Sequence, residues 1–333
     1  MSGPAPNHPP NHAPGHSPGR ARDPGGGAGR AGPRGFVLVN ALVLVAACAA
    51  AAVFVLGRAE AARQRQAALQ GAEQARLYLD GVEALALARL QADQQGGAID
   101  TLAEPWARPG AGLEIDRGTA ALTLTDLQGR FNVNWLANPA DAAARAGFAR
   151  LLGALNLPPR LGPAIIGFLR PGGPADRRAY AGQDPAIAPP GGPVMALDQL
   201  AVIPALSPAH LERLRPYLAA LPGDRPLNVN TAPALVLWAL LPGARRAALD
   251  QLLAQRARRP FISVADFETR IAAVLGDAGL AEEETLRYAI GSDWFAADIE
   301  VALDGLILRR QTVIERQPLP HGPRVAYRLE GRP

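Results

Sequence analysis

A continuous apolar segment from Phe36 to Gly57 restricts the folding of this chain more than any other feature. It carries no charge, and Asn40 is its one strongly polar side chain. At about 1.5 Å per residue, such a helix spans roughly the 30 Å hydrocarbon core of a bilayer. A secretory signal would be shorter and would be cleaved after its apolar region, whereas here the natural cleavage point, Gly35-Phe36, precedes that region. Residues 36–57 are therefore predicted to be a transmembrane helix that remains after processing.

The segment before this helix, residues 1–35, is predicted to be a leader with no packed core. Eight of its residues are proline and nine are glycine, a composition that cannot bury enough apolar surface to fold. It carries four arginines against one acid, Asp23. A short basic leader before a large C-terminal part favours an orientation with the leader on the cytoplasmic side of the membrane and the rest of the chain on the other side. We therefore expect a single-pass inner-membrane protein with a cytoplasmic N-terminus and a periplasmic body.

Composition gives little support for nucleic-acid or metal binding. The pI is about 9.8, but the net charge is only +4 and every basic residue is arginine. Together with the abundant alanine, glycine and proline, this is typical of a GC-rich coding bias, so nucleic-acid binding is not favoured. The single cysteine, Cys48, lies in the apolar segment, which excludes an intrachain disulfide and a thiolate zinc site. No cofactor and no metal site is predicted.

The rest of the chain predicts an α+β fold built on one long helix. Alanine, leucine, glutamine and arginine continue the helix pattern from Ala59 to Asp93. Strand patterns occur at 113–117 and 120–126 and return only near the end, at 297–302, 306–315 and 324–329, with Asp304-Gly305 as a hairpin turn. The simplest architecture is a long helix packed on one antiparallel sheet that an insertion divides in sequence, formed by residues 58–128 and 292–333.

Residues 129–291 are predicted to be a large all-α insertion that contains a duplicated unit. The segment Phe131-Asn-Val-Asn134 recurs as Leu227-Asn-Val-Asn230, each time before a helix that ends near Leu-Pro. Ser207-Pro208 and Ser263-Val-Ala-Asp266 have the composition of helix starts. The asparagines themselves are favourable cap and turn residues, so a local structural role accounts for most of the repeated motif.

Catalysis finds little support in the sequence. It contains no Gly-x-Ser-x-Gly, no His-Glu-x-x-His and no phosphate-binding Gly-x-x-x-x-Gly-Lys. Outside the leader the histidines are His210 and His321, and neither lies near a serine or carboxylate pattern that specifies a triad. The chain is predicted not to be an enzyme.

The junction Gly35-Phe36, the long helix and the divided sheet resemble the prepilin class. This resemblance implies that a prepilin peptidase cuts between Gly35 and Phe36 and methylates the new N-terminal Phe36. In that class the fifth mature residue is nearly always glutamate, and here it is Asn40. A carboxylate at this depth in the membrane would seek the N-terminal ammonium of a neighbouring subunit. Asn40 can form hydrogen bonds but cannot supply that charge.

The missing glutamate and the helical insertion resemble the K-type minor pseudopilins of type II secretion. Segments that carry the resemblance are Glu104-Pro-Trp-Ala107, Asp126-Leu-Gln-Gly-Arg-Phe-Asn-Val-Asn134 and Pro226-Leu-Asn-Val-Asn-Thr-Ala-Pro233. The resemblance implies a pilin-like fold with a large helical insertion. It also implies a subunit at the tip of the pseudopilus, which starts its assembly with the I- and J-type minor pseudopilins. The H-type pseudopilin, the prepilin peptidase and the inner-membrane secretion platform are further implied partners.

Members of this family can bind calcium in the insertion, but the corresponding acids are replaced here. The region reads Ile165-Ile-Gly-Phe-Leu-Arg-Pro-Gly-Gly173, in which Gly167, Arg170 and Gly172 stand where acids would be needed. Asp176 and Asp184 are the nearby carboxylates, too few for the six to eight oxygen ligands of calcium. No calcium site is predicted.

Two alternatives remain open. Residues 227–267 resemble helix-hairpin-helix DNA-binding units, as used by membrane-anchored competence receptors, although Leu241-Pro-Gly243-Ala-Arg245 lacks the second glycine of the usual hairpin. The chain would then bind DNA in the periplasm. The other alternative is an anchored periplasmic scaffold whose leader is never cut.

Overall fold

A computed structural model describes residues 34–108, 110, 112–275 and 287–330. The chain divides into two compact units, Met1–Arg65 and Gln66–Pro333. The helices of the described residues are α1 (Arg34–Gly96), α2 (Ala142–Ala154), α3 (Leu161–Leu169), α4 (Arg178–Ala181), α5 (Pro208–Leu214), α6 (Ala234–Leu240), α7 (Arg246–Arg256) and α8 (Val264–Leu275). Short 3-10 helices cover Pro105–Ala107, Val133–Ala137 and Leu197–Val202.

The strands of the described residues form one large antiparallel sheet and two small parallel pairs. They are β1 (Leu113–Ile115), β2 (Gly118–Asp126), β3 (Phe131–Asn132), β4 (Leu218–Ala219), β5 (Leu227–Asn228), β6 (Tyr288–Ala289), β7 (Trp294–Leu303), β8 (Leu306–Gln317) and β9 (Gly322–Glu330). The large sheet has the order β1-β2-β7-β8-β9, and β3 pairs with β4 and β5 with β6. The sheet is therefore completed by strands from both sides of the predicted insertion.

Turn residues set the register of this sheet where the sequence predicts turns. Asp304 and Gly305 have φ of 49° and 83°, as a two-residue hairpin between β7 and β8 requires. Gly118, the first residue of β2, lies very close to β7. A side chain does not fit there, because a Cβ at this position would lie 1.9 Å from the Ala302 carbonyl oxygen. The predicted hairpin is confirmed.

Helix α1 packs on this sheet through an apolar face that begins at Ala75. The buried residues of this face recur at intervals of three or four, as one face of a helix requires; they are Ala75, Leu79, Val82, Ala86 and Leu90. They share a core with Trp106 and with inward-facing residues of β2 and β7. Leu69 lies about 120° around the helix from Ala75 and is exposed. The predicted α+β fold, a long helix on an antiparallel sheet, is confirmed.

The helices between β2 and β7 have a hydrophobic core of their own. It is centred on the aromatic residues Phe131, Phe148, Phe261 and Phe267, with leucines of α2, α3 and α6 around them. The predicted helix starts are confirmed, since Ser207 Oγ accepts a hydrogen bond from the His210 amide and Ser263 Oγ accepts one from the Asp266 amide. The domain boundaries at 128/129 and 291/292 stay predictions.

The two halves of this helical region follow the same order. Each begins with a two-residue strand, β3 or β5, at the first residues of the repeated Asn-Val-Asn segment. Each strand then pairs in parallel with a strand that follows the helices of its half, β4 or β6. The repeat in the sequence thus has a counterpart in the backbone, with short strand pairs that the helical prediction did not include.

A buried acid on the sheet-facing side of α1 anchors the helix to β8 and β9. Glu83 accepts hydrogen bonds from Thr312 Oγ1 at 2.6 Å and from Arg328 Nε and Nη2 at 2.8 and 2.6 Å. Burial raises the pKa of the Glu83 carboxyl, but the hydrogen bonds from Arg328 and Thr312 and the charges of Arg328 and Arg310 outweigh it and leave the pKa lowered.

We expect Glu83→Gln to destabilise the Gln66–Pro333 unit by about 3 kcal/mol, because it removes a buried carboxylate that pairs with both Arg310 and Arg328. Urea unfolding of the full chain in detergent, followed by circular dichroism, measures the loss. Glu73→Gln is the matched control: it removes an exposed ion pair with Arg76 on the same helix and should cost at most about 0.5 kcal/mol. Equal effects of the two variants would show that Glu83 does not anchor α1.

Candidate functional site

The predicted processing and assembly residues lie in one uninterrupted helix. Helix α1 begins at Arg34, so the Gly35-Phe36 peptide bond and Asn40 belong to the same run of helix. Phe36 and Asn40 are four residues apart and therefore share one helix face. Among the described residues, this is the one helix long and apolar enough to cross a membrane. Cleavage at Gly35 and methylation of Phe36 stay predictions.

The apolar part of this helix is exposed along its length within its own unit. Phe36 is 67% exposed and Phe54 64%, an arrangement suited to lipid or to the helices of other subunits rather than to a water-facing surface. Asn40 is exposed too, and no described residue forms a hydrogen bond with its carboxamide. A polar side chain on such a surface is available to a partner helix.

The repeated asparagines have a role that the sequence pattern shows only in part. The first of each pair acts locally, as predicted: Asn132 Oδ1 accepts from the Asn134 amide at 3.1 Å, and Asn228 Oδ1 accepts from the Asn230 amide at 2.9 Å. These are turns in which a side chain replaces a backbone acceptor. The cap and turn role is confirmed for these two residues.

Both asparagines of each pair also join distant segments, and the second does so through the same pair of bonds in both halves. Asn134 Nδ2 donates to the Val194 carbonyl and its Oδ1 accepts from the Val194 amide, both at 2.8 Å. Asn230 forms the same two bonds with Phe261, at 2.9 and 2.8 Å. A carboxamide can do this because it offers a donor and an acceptor side by side, like a peptide group. Each half is thereby closed by an asparagine clamp.

A third set of buried polar contacts fixes the second half to the end of the sheet. Asp126, the last residue of β2, is buried and accepts through Oδ2 from Asn228 Nδ2 at 3.0 Å, Thr231 Oγ1 at 2.5 Å and Ser292 Oγ at 2.6 Å. Its Oδ1 accepts from the Gln128 amide at 2.7 Å. The pKa of the Asp126 carboxyl is raised, because burial raises it by more than the hydrogen bonds from Ser292 and Thr231 lower it.

The same region brings together the segments through which the chain leaves and re-enters the sheet. Gln128 Oε1 accepts from the Asp293 amide at 2.6 Å, and the Gln128 carbonyl accepts from the Asn228 amide at 2.9 Å. Gly129 permits this approach, because a Cβ there would lie 2.6 Å from Thr231 Oγ1. We name the residues Asp126, Gln128, Asn228, Thr231 and Ser292 the junction network. It attaches the helical region to the sheet through directional contacts.

Three carboxylates and one arginine extend this region to the end of α1. Arg316 donates through Nη1 to Asp93 at 2.9 Å and through Nη2 to Asp100. Burial, together with the charges of Glu104 and Asp100, raises the pKa of Asp93 to about 6, against the opposing charge of Arg316. The oxygens of Asp93, Asp100 and Glu104 lie within 4.8 Å of one another, as metal ligands would. Arg316 already supplies a positive charge to two of them, so the geometry suits an ion-pair cluster.

The other predicted features lie apart from this region. Gly172 and Gly173 have positive φ, and Asp176 Oδ1 accepts from the Arg178 amide. The absence of a calcium site at 165–176 stays a prediction. The segment Leu241 to Arg245 forms the turn between α6 and α7, with Gly243 at φ 85°. A helical hairpin is therefore present where the DNA-binding alternative requires one.

The raised pKa of Asp93 gives a stability prediction. Between pH 3.8, the ordinary pKa of an aspartate, and about pH 6, Asp93 holds a proton in the folded chain that it has released in the unfolded chain. The free energy of unfolding should therefore fall as pH rises through this window and level off above it. Asp93→Asn should reduce that fall in the free energy of unfolding by about 1–3 kcal/mol, and at pH 7.5 the variant should be about as stable as the unmodified chain. Urea unfolding at several pH values between 4 and 7.5 measures the free energy of unfolding of both. Asp116→Asn, on an exposed acid, is the control; a marked loss of stability in Asp93→Asn at pH 7.5 would contradict the assignment.

Comparison with known proteins places these features in a family. Two sequence profiles, both described as type II secretion system protein K, match residues 129–223 and 227–285. The type II secretion system protein K of Pseudomonas aeruginosa is 31% identical over 307 residues, covering 86% of this chain and 88% of that protein. The protein of the same name from Klebsiella pneumoniae is 28% identical over 305 residues, covering 85% and 93%.

A solved structure shares the fold. A chain from the crystal structure of the GspK-GspI-GspJ complex of the enterotoxigenic Escherichia coli type 2 secretion system superposes with a TM-score of 0.68 at 22% identity. The match covers 81% of this chain and all of that one. The identity and coverage of the Pseudomonas protein, together with the two profiles, show that this chain belongs to the type II secretion system protein K family.

Proposed function

We propose that this chain forms the tip of the type II secretion pseudopilus, where it starts assembly with the I- and J-type minor pseudopilins. The structural relative was crystallised in a complex named for K, I and J components, which supports I and J partners here. The H-type pseudopilin, the prepilin peptidase and the inner-membrane platform complete the proposed set. The assembled fibre would serve the export of folded proteins across the outer membrane.

Asn40 is the observation that carries the tip assignment. It occupies the fifth position after the predicted cleavage site, on the exposed part of α1, where a fibre subunit needs a carboxylate to pair with the ammonium of its neighbour. An unpaired carboxylate in a membrane costs roughly 2.5–3.5 kcal/mol on insertion scales. The first subunit extracted has no earlier subunit to neutralise, so an uncharged residue suits it better than glutamate.

The helical region supports the same position for a steric reason. Its own core and two asparagine clamps make it a bulky folded body, and the junction network ties it to the end of β2. A subunit with such a body attached to its sheet cannot be followed by another subunit stacked on that side. This favours the distal end of a fibre over an interior position.

The membrane arrangement follows from the same elements. With α1 in the inner membrane, a leader in the cytoplasm would meet the prepilin peptidase, and the sheet and helical region would lie in the periplasm. No covalent chemistry by this chain is needed for that role, and we propose that it is not an enzyme and uses no cofactor.

A second candidate, a membrane-anchored periplasmic DNA-binding protein, rests on the α6–α7 hairpin. Its phosphate contacts would make the affinity for duplex DNA fall steeply with salt. Under the tip proposal, the purified chain should show no binding to a labelled DNA duplex at about 50 mM salt, a condition that favours such contacts. Clear binding there, lost at higher salt, would favour the second candidate.

Processing gives the sharpest test of the pseudopilin role. In a host that contains the prepilin peptidase, we expect the mature chain to begin at N-methylated Phe36, as measured by mass spectrometry of its N-terminal peptide. Gly35→Leu should leave the leader attached, because the peptidase class cuts after glycine. Gly57→Ala is the control, since a Cβ there meets nothing within 4 Å, and it should be processed normally. An intact leader on the unmodified chain would contradict the role.

A further inference from the structure

Arg256, the last residue of α7, is a partly buried cation with an unusual set of partners. Its Nη1 donates to the backbone carbonyls of Val229 and Ala232 at 2.7 and 2.8 Å. These two carbonyls lie on either side of Asn230, the residue of the second asparagine clamp. Both hydrogen bonds come from Nη1, and no described residue accepts a hydrogen bond from Nε or Nη2.

Arg256 also lacks the carboxylate partner that the most buried arginines have. Arg310 is paired with Asp80 and Glu83, and Arg316 with Asp93 and Asp100. None of the described carboxylates forms an ion pair with Arg256, and burial alone lowers its pKa to about 10. A cation taken out of water without a countercharge is destabilising, so this site favours the arrival of an anion.

Arg256 is one of the residues that line a small cavity. The cavity has a volume of about 190 Å³ and is walled by Leu102, Ala103, Leu253 and Pro260. Thr101 also lines it; its Oγ accepts from the Ala103 amide at 3.3 Å, which leaves the hydroxyl hydrogen free to donate. Leu102 is 57% exposed at the rim. The lining of the cavity thus combines a cationic residue, a hydroxyl residue and several apolar side chains.

We propose that this cavity is a carboxylate-binding site, which takes an acidic side chain or a chain-terminal carboxylate of a protein partner. The parallel donors of a guanidinium match the two oxygens of a carboxylate. The volume is below the 300–1,000 Å³ of pockets for drug-sized ligands, so it suits a group of a few atoms presented by a larger molecule. The exposed Leu102 gives such a molecule an apolar contact beside the charge. The site would exist whether or not the chain acts in secretion, because it needs only the cavity and its cation.

Protection of Arg256 from phenylglyoxal tests this site on the unmodified full chain in detergent. The labelling rate at Arg256 and at the exposed Arg258 is read by peptide mass spectrometry, with acetate, phosphate or a short glutamate-containing peptide replacing chloride at constant ionic strength. At an acetate concentration of twice the Kd, labelling of Arg256 should slow about threefold, because the free fraction is 1/(1 + [L]/Kd). Arg258 should be unaffected, and the peptide should protect at lower concentration than acetate.

Variants provide a second readout. Acetate should raise the thermal unfolding midpoint of the unmodified chain and of Arg258→Gln, but not that of Arg256→Gln. If Arg256→Gln does not fold, the protection experiment still decides, since it needs no variant. Absence of protection, equal protection at Arg258, or stronger protection by phosphate than by the peptide would each overturn the proposal.

Discussion

The structure depends most on the carboxylate of Asp126, at the point where the chain leaves the sheet for the helical region. It is buried, and no described residue forms an ion pair with it. Asn228, Thr231 and Ser292 stabilise it by donating hydrogen bonds to it. These donors come from the start of the second helical half and from the segment that returns to the sheet. A buried acid tolerates so little misplacement of its donors that this network specifies one arrangement of the helical region on the sheet.

Much of the fold could be predicted from local patterns. Apolar spacing of three and four residues gives α1, alternation gives β2, β7, β8 and β9, and Asp304-Gly305 gives the hairpin. These features depend on neighbours in the sequence, so a single chain shows them. The absence of a charge at Asn40 and the position of Gly35 are equally visible, which is why the family resemblance could be recognised from the amino-acid sequence alone.

The contacts that attach the parts could not be predicted in the same way. Asn134 and Val194, or Asp126 and Ser292, are far apart in sequence and come together only when the chain is folded. An asparagine that closes a distant loop has the same local pattern as one that caps a helix, so the Asn-Val-Asn repeat indicated a duplication but not its clamps. The cluster of Asp93, Asp100, Glu104 and Arg316 likewise draws on three separate segments.

The proposed tip position rests on an uncharged Asn40 and on a helical region that is firmly attached to the sheet. It can be tested by locating this chain in assembled fibres, by electron microscopy of purified pseudopili whose copy of the chain carries a gold label at the C-terminus. A tip subunit should place label at one end of each fibre, and none along its length. Label distributed along the fibres, or confined to the membrane with unlabelled fibres still forming, would contradict the tip position.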